Sequence, residues 1–326
     1  MTIQVFKDLD SALGETQVGS RNTIDLSVFF CGFESRCSFF YASITERSSL
    51  SLIVDFGSTG VGSYDENIAF YKDQVGERAE IIPDSKDSSA FRRELNRRLE
   101  GVCKDFGPGR EIILAIDISS ANRRQQAIFF ELAWFYKSKG SAIKVIVSYV
   151  FAKYTPPSRE LLHAVHFGPV TPFFAGWDCD PTVPVALILG LGYEKDRALS
   201  TVEFLEPRQV YVLAPCNGSG GYDQDIAGQV DLLREAGIPI NEPYFYDVLS
   251  FESLCWHLDL IVSGLLGKYR VVIVPGGPKL FNLASILVSI RYRSRLHLYR
   301  VSGGTIETPV NREPDTQRAM FTSIAL

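Results

Sequence analysis

Glu111–Ile118 reads EIILAIDI, one acid followed by five apolar residues before the run is broken at Asp117. A stretch this short and this apolar has no polar face, which is the signature of a strand covered on both sides, as strands of parallel sheets are. Ser119 and Ser120 come next and suit the cap of a following helix. Asn122–Lys139 carries helical spacing and stops at Gly140, and Ala142–Ala152 is again strand-like. Strand, helix, strand in this order is the βαβ unit.

The same alternation extends upstream. Ile24–Phe30 reads as a strand running into Cys31 and Gly32, Arg36–Glu46 as a helix, and Leu50–Phe56 (LSLIVDF) as a strand. Tyr64–Gly76 follows as a helix, Ala79–Pro83 as a strand, and Ser88–Val102 as an amphipathic helix whose Arg92, Arg93, Arg97 and Arg98 form a solvated face. Beyond Ala152, residues Tyr154–Pro184 hold 6 of the 16 prolines and read as a connector.

Past the connector the alternation starts again: strands at Val185–Gly190, Gln209–Ala214, Tyr244–Asp247, Tyr269–Val274 and Leu296–Val301, and helices at Lys195–Leu205, Asp223–Ala236, Ser253–Leu266 and Lys279–Tyr292. Gly32-Phe33-Glu34 is answered 160 positions later by Gly192-Tyr193-Glu194, and Tyr64-Asp65 is answered 158 later by Tyr222-Asp223. Thr155-Pro156 is answered 153 later by Thr308-Pro309. Matches at a nearly constant offset, inside the same element order, point to an internal repeat. The expected fold is therefore α/β: two tandem Rossmann-like units, each a mainly parallel sheet flanked by helices, at 1–153 and 185–326, joined by 154–184.

At 326 residues and 46% hydrophobic content the chain is long and apolar enough for two cores. Its net charge of -5 gives no general attraction to a phosphate backbone, which excludes non-specific nucleic-acid binding. The six cysteines include no CxxC pair, and several lie in apolar runs where free thiols pack, as in a reducing, cytoplasmic setting. His163 and His166 share a helical spacing but have no carboxylate or cysteine cluster beside them, and no metal site is expected. Met1–Ser20 lacks the apolar core of a signal peptide, and no run of 18 apolar residues predicts a membrane span.

In an open parallel sheet a ligand binds beyond the carboxyl ends of the strands, where the strand order reverses. That rule selects the turns after strand one (Gly32, Glu34, Arg36 and, in the second unit, Gly192, Glu194, Arg197) and the turns before the last helix of each unit. In the second unit the latter is Val274-Pro275-Gly276-Gly277-Pro278-Lys279. Two glycines admit close backbone approach, helix-end amides favour an anion, and Lys279 adds a positive charge. The competing reading is a tight turn that needs glycine for its own geometry. In the first unit the counterpart is Asp117–Arg124, with Ser119, Ser120 and Arg123 placed to hold phosphate or ribose, or else to cap a helix and face water. Glu34 and Glu194 repel phosphate unless they pair with Arg36 and Arg197 or bind sugar hydroxyls. No GxSxG, HExxH or compact His/Asp/Ser set marks a hydrolase, which leaves catalysis open and unassigned.

The strand, GG-x-K, helix pattern at Ile273–Phe281, set in a duplicated Rossmann-like chain, resembles CARF domains and the related two-lobed SAVED sensors of prokaryotic antiviral defence. Gly276, Gly277 and Lys279 carry the likeness, with Ser119 and Ser120 as a weaker counterpart, and Pro278 stands where the family commonly has threonine. The resemblance implies binding of a nucleotide second messenger, such as a cyclic oligonucleotide, between two such units, and signalling to an effector protein partner, with no cofactor. Two alternatives stay open: a protein-interaction scaffold, for which Trp134, Phe135 and Tyr136 offer aromatic surface, and a phosphodiesterase or ring nuclease.

Overall fold

The computed structural model describes residues 1–14, 23–85, 88–106, 110–156, 164–192, 195–216, 218, 220–303 and 311–326. The chain divides into two compact units, one built from Met1–Lys153 together with Pro309–Leu326, the other from Tyr154–Thr308.

The first unit contains β1 (Thr2–Phe6), α1 (Leu9–Leu13), β2 (Leu26–Cys31), α2 (Tyr41–Thr45), β3 (Ser51–Asp55), α3 (Tyr64–Gln74), β4 (Ala79–Pro83), α4 (Ser89–Phe106), β5 (Glu111–Asp117), α5 (Arg123–Ser138) and β6 (Ala142–Ala152). The second contains β7 (Ala164–Pro169), β8 (Val185–Gly190), α6 (Lys195–Leu205), β9 (Gln209–Cys216), α7 (Gly220–Glu235), β10 (Tyr244–Asp247), α8 (Phe251–Leu265), β11 (Arg270–Val274), α9 (Lys279–Tyr292) and β12 (His297–Gly303). A last strand, β13 (Pro314–Ala325), returns to the first unit.

The seven-stranded sheet runs β1-β13-β6-β5-β2-β3-β4 and the six-stranded sheet runs β10-β9-β8-β11-β12-β7. Numbered within its own unit, the parallel core of each has the order 3-2-1-4-5, so the two sheets share one topology. Each also carries an antiparallel strand on strand five, β13 on β6 and β7 on β12. β2 and β8 are buried at every position, as expected of central strands covered on both faces. The tyrosines matched by the repeat occupy equivalent places: Tyr64 opens α3 and Tyr222 lies in the first turn of α7, both buried in the core of their own unit.

Three expectations are corrected. Residues 154–184 are not merely a connector, because β7 completes the second sheet. Residues 314–325 do not belong with the second unit, because their backbone groups pair with β6 and β1. The helix expected over Arg36–Glu46 is broken into a 3-10 turn at Ser35–Ser38 and the short α2. A polar N-terminal stretch also supplies β1 and α1, where Asp8 caps the helix by accepting from the Ser11 amide at 2.8 Å.

Candidate functional site

The reversal of strand order lies between β2 and β5 in the first unit and between β8 and β11 in the second. Those two points gather most of the candidate residues, and they are chemically unlike.

In the second unit, the Gly276 amide donates to the Gly190 carbonyl at 3.1 Å. The backbones run so close that a Cβ at Gly276 would be driven into that carbonyl oxygen, and one at Gly277, whose φ is +68°, into the carbonyl of Leu191. Gly190 in turn lies against the Phe281 ring with no room for a side chain. These glycines are therefore required by strand tip packing on strand tip, whatever else the turn does. Lys279 is the first residue of α9 and half-buried; Pro278 precedes it and supplies no side-chain cap, so α9 begins without one. Gly192 and Arg197 are half-buried at the neighbouring tip and in the first turn of α6, while Glu194 lies outside the described residues.

In the first unit the polar groups are committed to one another. Arg36 is only 2% exposed; its guanidinium meets the Glu34 carboxylate at 2.9 Å, donates to the Val150 carbonyl at 2.9 Å and lies 5.8 Å from the centre of the Tyr149 ring. Burial opposes its charge, yet Glu34 and Tyr149 outweigh that and hold its pKa above the usual value. The pairing of Glu34 with Arg36 allowed by the sequence is present. Asn67 of α3 donates to the Gly32 and Glu34 carbonyls at 2.9 and 3.0 Å, and Asn311 accepts from the Ser35 amide at 2.9 Å. Neither asparagine stands out in the sequence, since each acts through backbone groups far away along the chain.

Ser119 is fully buried; its amide donates to Asp117 at 2.8 Å and its hydroxyl accepts from the Val150 amide at 3.0 Å. Ser120 sits across from Gly32, its hydroxyl buried with no hydrogen-bond partner among the described residues. Neither serine caps α5: Asn122 does, accepting from the Gln125 amide at 3.0 Å while the Gln125 side chain accepts from the Asn122 amide at 2.8 Å. Arg123 is the first residue of that helix and half-buried.

Carboxylates recur at the strand ends. Asp55 accepts from the Gly57 amide at 2.9 Å and the Tyr64 hydroxyl at 2.6 Å, Asp84 from the Ser85 amide and the Gln125 side chain, Asp117 from the Ser119 amide, and Asp247 of β10 from the Leu249 amide. Each closes the turn behind its strand. With Glu34, four consecutive strand ends of the first unit carry an acid, whereas Val274–Asn282 contains none. A phosphate is thus opposed at the first tip, whereas the β11–α9 turn itself contributes no carboxylate.

Among the described residues no group of three or more His, Cys, Asp or Glu side chains is arranged to hold a metal ion, and no helix is long and apolar enough to cross a membrane. All six cysteines are free thiols. His166 lies in β7, and His163 is outside the described residues. No protein family matches the chain by sequence, and no curated protein does. A universal stress protein from Archaeoglobus fulgidus DSM 4304 is structurally similar over 87% of this chain and 98% of its own, at 10% identity and a TM-score of 0.27. A likeness that shallow carries no functional argument; the α/β assignment stands on the strand order.

Proposed function

We propose that the chain is a nucleotide-binding regulatory protein that holds a phosphate group at the β11–α9 turn of its second unit. The observation that supports this is the contrast in charge and capping between the two strand-order reversals. α9 starts without a side-chain cap, carries Lys279 at its first position and has no acid in the turn before it, so its terminal amides and the ammonium favour an anion. The first unit has a capped α5 and a carboxylate at four consecutive strand ends, which suits sugar hydroxyls better than phosphate.

The resemblance to CARF and SAVED sensors makes a cyclic oligonucleotide the ligand to test first and favours a role in prokaryotic antiviral defence, in a cytoplasm that keeps the six thiols reduced, acting through an effector protein. Calorimetric titration with cyclic di-, tri- and tetranucleotides tests it. Binding of one of them, weakened at least about tenfold in Lys279→Ala, is the expected result; no heat from any of them, or equal affinity in the variant, refutes it. The scaffold reading gains from Trp256 and Leu260, both exposed on α8. The phosphodiesterase reading loses its natural nucleophile, because Ser119 is buried and bonded to Val150.

A further inference from the structure

The outer face of α8 is unlike that of α4. Solvent-facing positions of α4 carry paired charges such as Arg97 with Glu94 and Lys104 with Glu100. α8 buries Phe251, Leu254, Cys255, Leu258, Val262 and Leu265 against its own unit, yet its opposite side presents Trp256 at 62% exposure and Leu260 at 56%. Those two belong to a row spaced by four: Glu252, Trp256, Leu260 and Gly264 on the helix, with Lys268 in the turn that follows. A row of this spacing is one of the ridges by which helices pack on one another, at a crossing angle of about -50°.

Read backwards, the row complements itself. Pivoted on Leu260, a second α8 sets its Gly264 opposite Trp256 and its Lys268 opposite Glu252, so a large residue meets a small one and an acid meets a base. Gly264 has room for the indole, since a Cβ placed there meets no atom within 4 Å. Glu252 and Lys268 are both exposed, at the positive and negative ends of the helix dipole. Self-complementarity of one patch is what a two-fold interface requires, because each contact must occur twice with the partners exchanged. A buried tryptophan at the centre and ion pairs at the rim match the anatomy of stable interfaces.

We infer that α8 is a homodimerisation surface: two copies of this chain pack α8 against α8 across a two-fold axis at Leu260. This is independent of nucleotide binding. Sedimentation velocity and light scattering of the whole chain from about 1 to 100 μM are expected to give a dimer. Leu260→Glu, at an exposed position that leaves circular dichroism unchanged, is expected to weaken dimerisation more than about tenfold. Glu252→Lys and Lys268→Glu are each expected to weaken it about two- to fivefold, and the two together to restore it. A monomer throughout that range, a dimer indifferent to Leu260→Glu, or a double reversal that restores nothing each overturns the inference.

Discussion

Replacing Gly276 by alanine separates what the β11–α9 turn does for the fold from what it does for a ligand. The added methyl points into the Gly190 carbonyl, which is backbone at the end of a fully buried strand and has little freedom to move. Either the methyl is accommodated by shifting the tip, at the roughly 1–3 kcal/mol typical of overpacking, or the 3.1 Å bond from the Gly276 amide is lost for about 1 kcal/mol more. The expected loss is about 2–4 kcal/mol. For a unit of this size that lowers the melting temperature by on the order of 5–15 °C. Gly277→Ala should cost a similar amount, because its φ of +68° alone is worth about 1–2 kcal/mol against any side chain and the Leu191 carbonyl blocks the methyl besides. Lys279→Ala, at a half-buried helix start, should change stability by less than about 0.5 kcal/mol while weakening anion affinity at least about tenfold. Scanning calorimetry reads all three. If both alanine variants melt within about 1 °C of the parent, the packing account of the glycines is wrong.

Other perturbations follow from the first unit and from one buried histidine. Arg36→Met should destabilise by about 3–5 kcal/mol in urea unfolding, because it takes away the guanidinium 2.9 Å from Glu34, leaving that of Arg312 at 4.0 Å, and removes the donor to the Val150 carbonyl; a loss under about 1 kcal/mol would show that water replaces the guanidinium freely. Ser119→Ala leaves the Val150 amide without its acceptor and should cost about 1–3 kcal/mol, whereas a neutral outcome would contradict the buried bond. His297 is held below its usual pKa, first by burial and then by the Arg270 guanidinium. The unfolded chain therefore takes up that proton first as pH falls, so the histidine's contribution is constant above its unfolded pKa of about 6.5 and declines below it. The urea midpoint should fall between about pH 6.5 and 5.5, before carboxylates titrate, and His297→Gln should flatten that slope; a parent more stable at pH 5.5 than at 7 would reverse the sign.

The parallel cores were legible because their central strands are short, mostly apolar runs. Ala79–Pro83, Ala142–Ala152, Val185–Gly190 and Tyr244–Asp247 have the ends read from the sequence, and so do the helices Lys195–Leu205 and Lys279–Tyr292. β1, β7 and β13 were not. They are antiparallel, and in β1 and most of β13 half-exposed positions replace the apolar run on which recognition depends. Of the candidate site, the turns were legible but the commitments of their side chains were not. Nothing local to Ser119 says that its hydroxyl serves Val150, or that Glu34 and Arg36 are gathered by Asn67 and Asn311, since each partner is set by the sheet rather than by the neighbouring sequence.

The antiparallel strands also alter what the repeat means. β7 follows β6 along the chain but pairs with β12, and β13 follows β12 but pairs with β6. In each case the strand after strand five is laid on strand five of the other sheet, and in each case a Thr-Pro pair precedes it in the sequence. A copy cut between β7 and β8 would end in a strand it does not place on its own sheet and would leave the edge of its own strand five bare, a template for uncontrolled pairing. A lone ancestor built to this pattern would have had to trade that strand with a second copy, which is the arrangement of a strand-exchanged dimer. Fusion into one chain makes the exchange intramolecular. It also makes β1 wait for β13, its one neighbour among the described strands, so the first unit acquires its full edge only when residues 314–325 arrive.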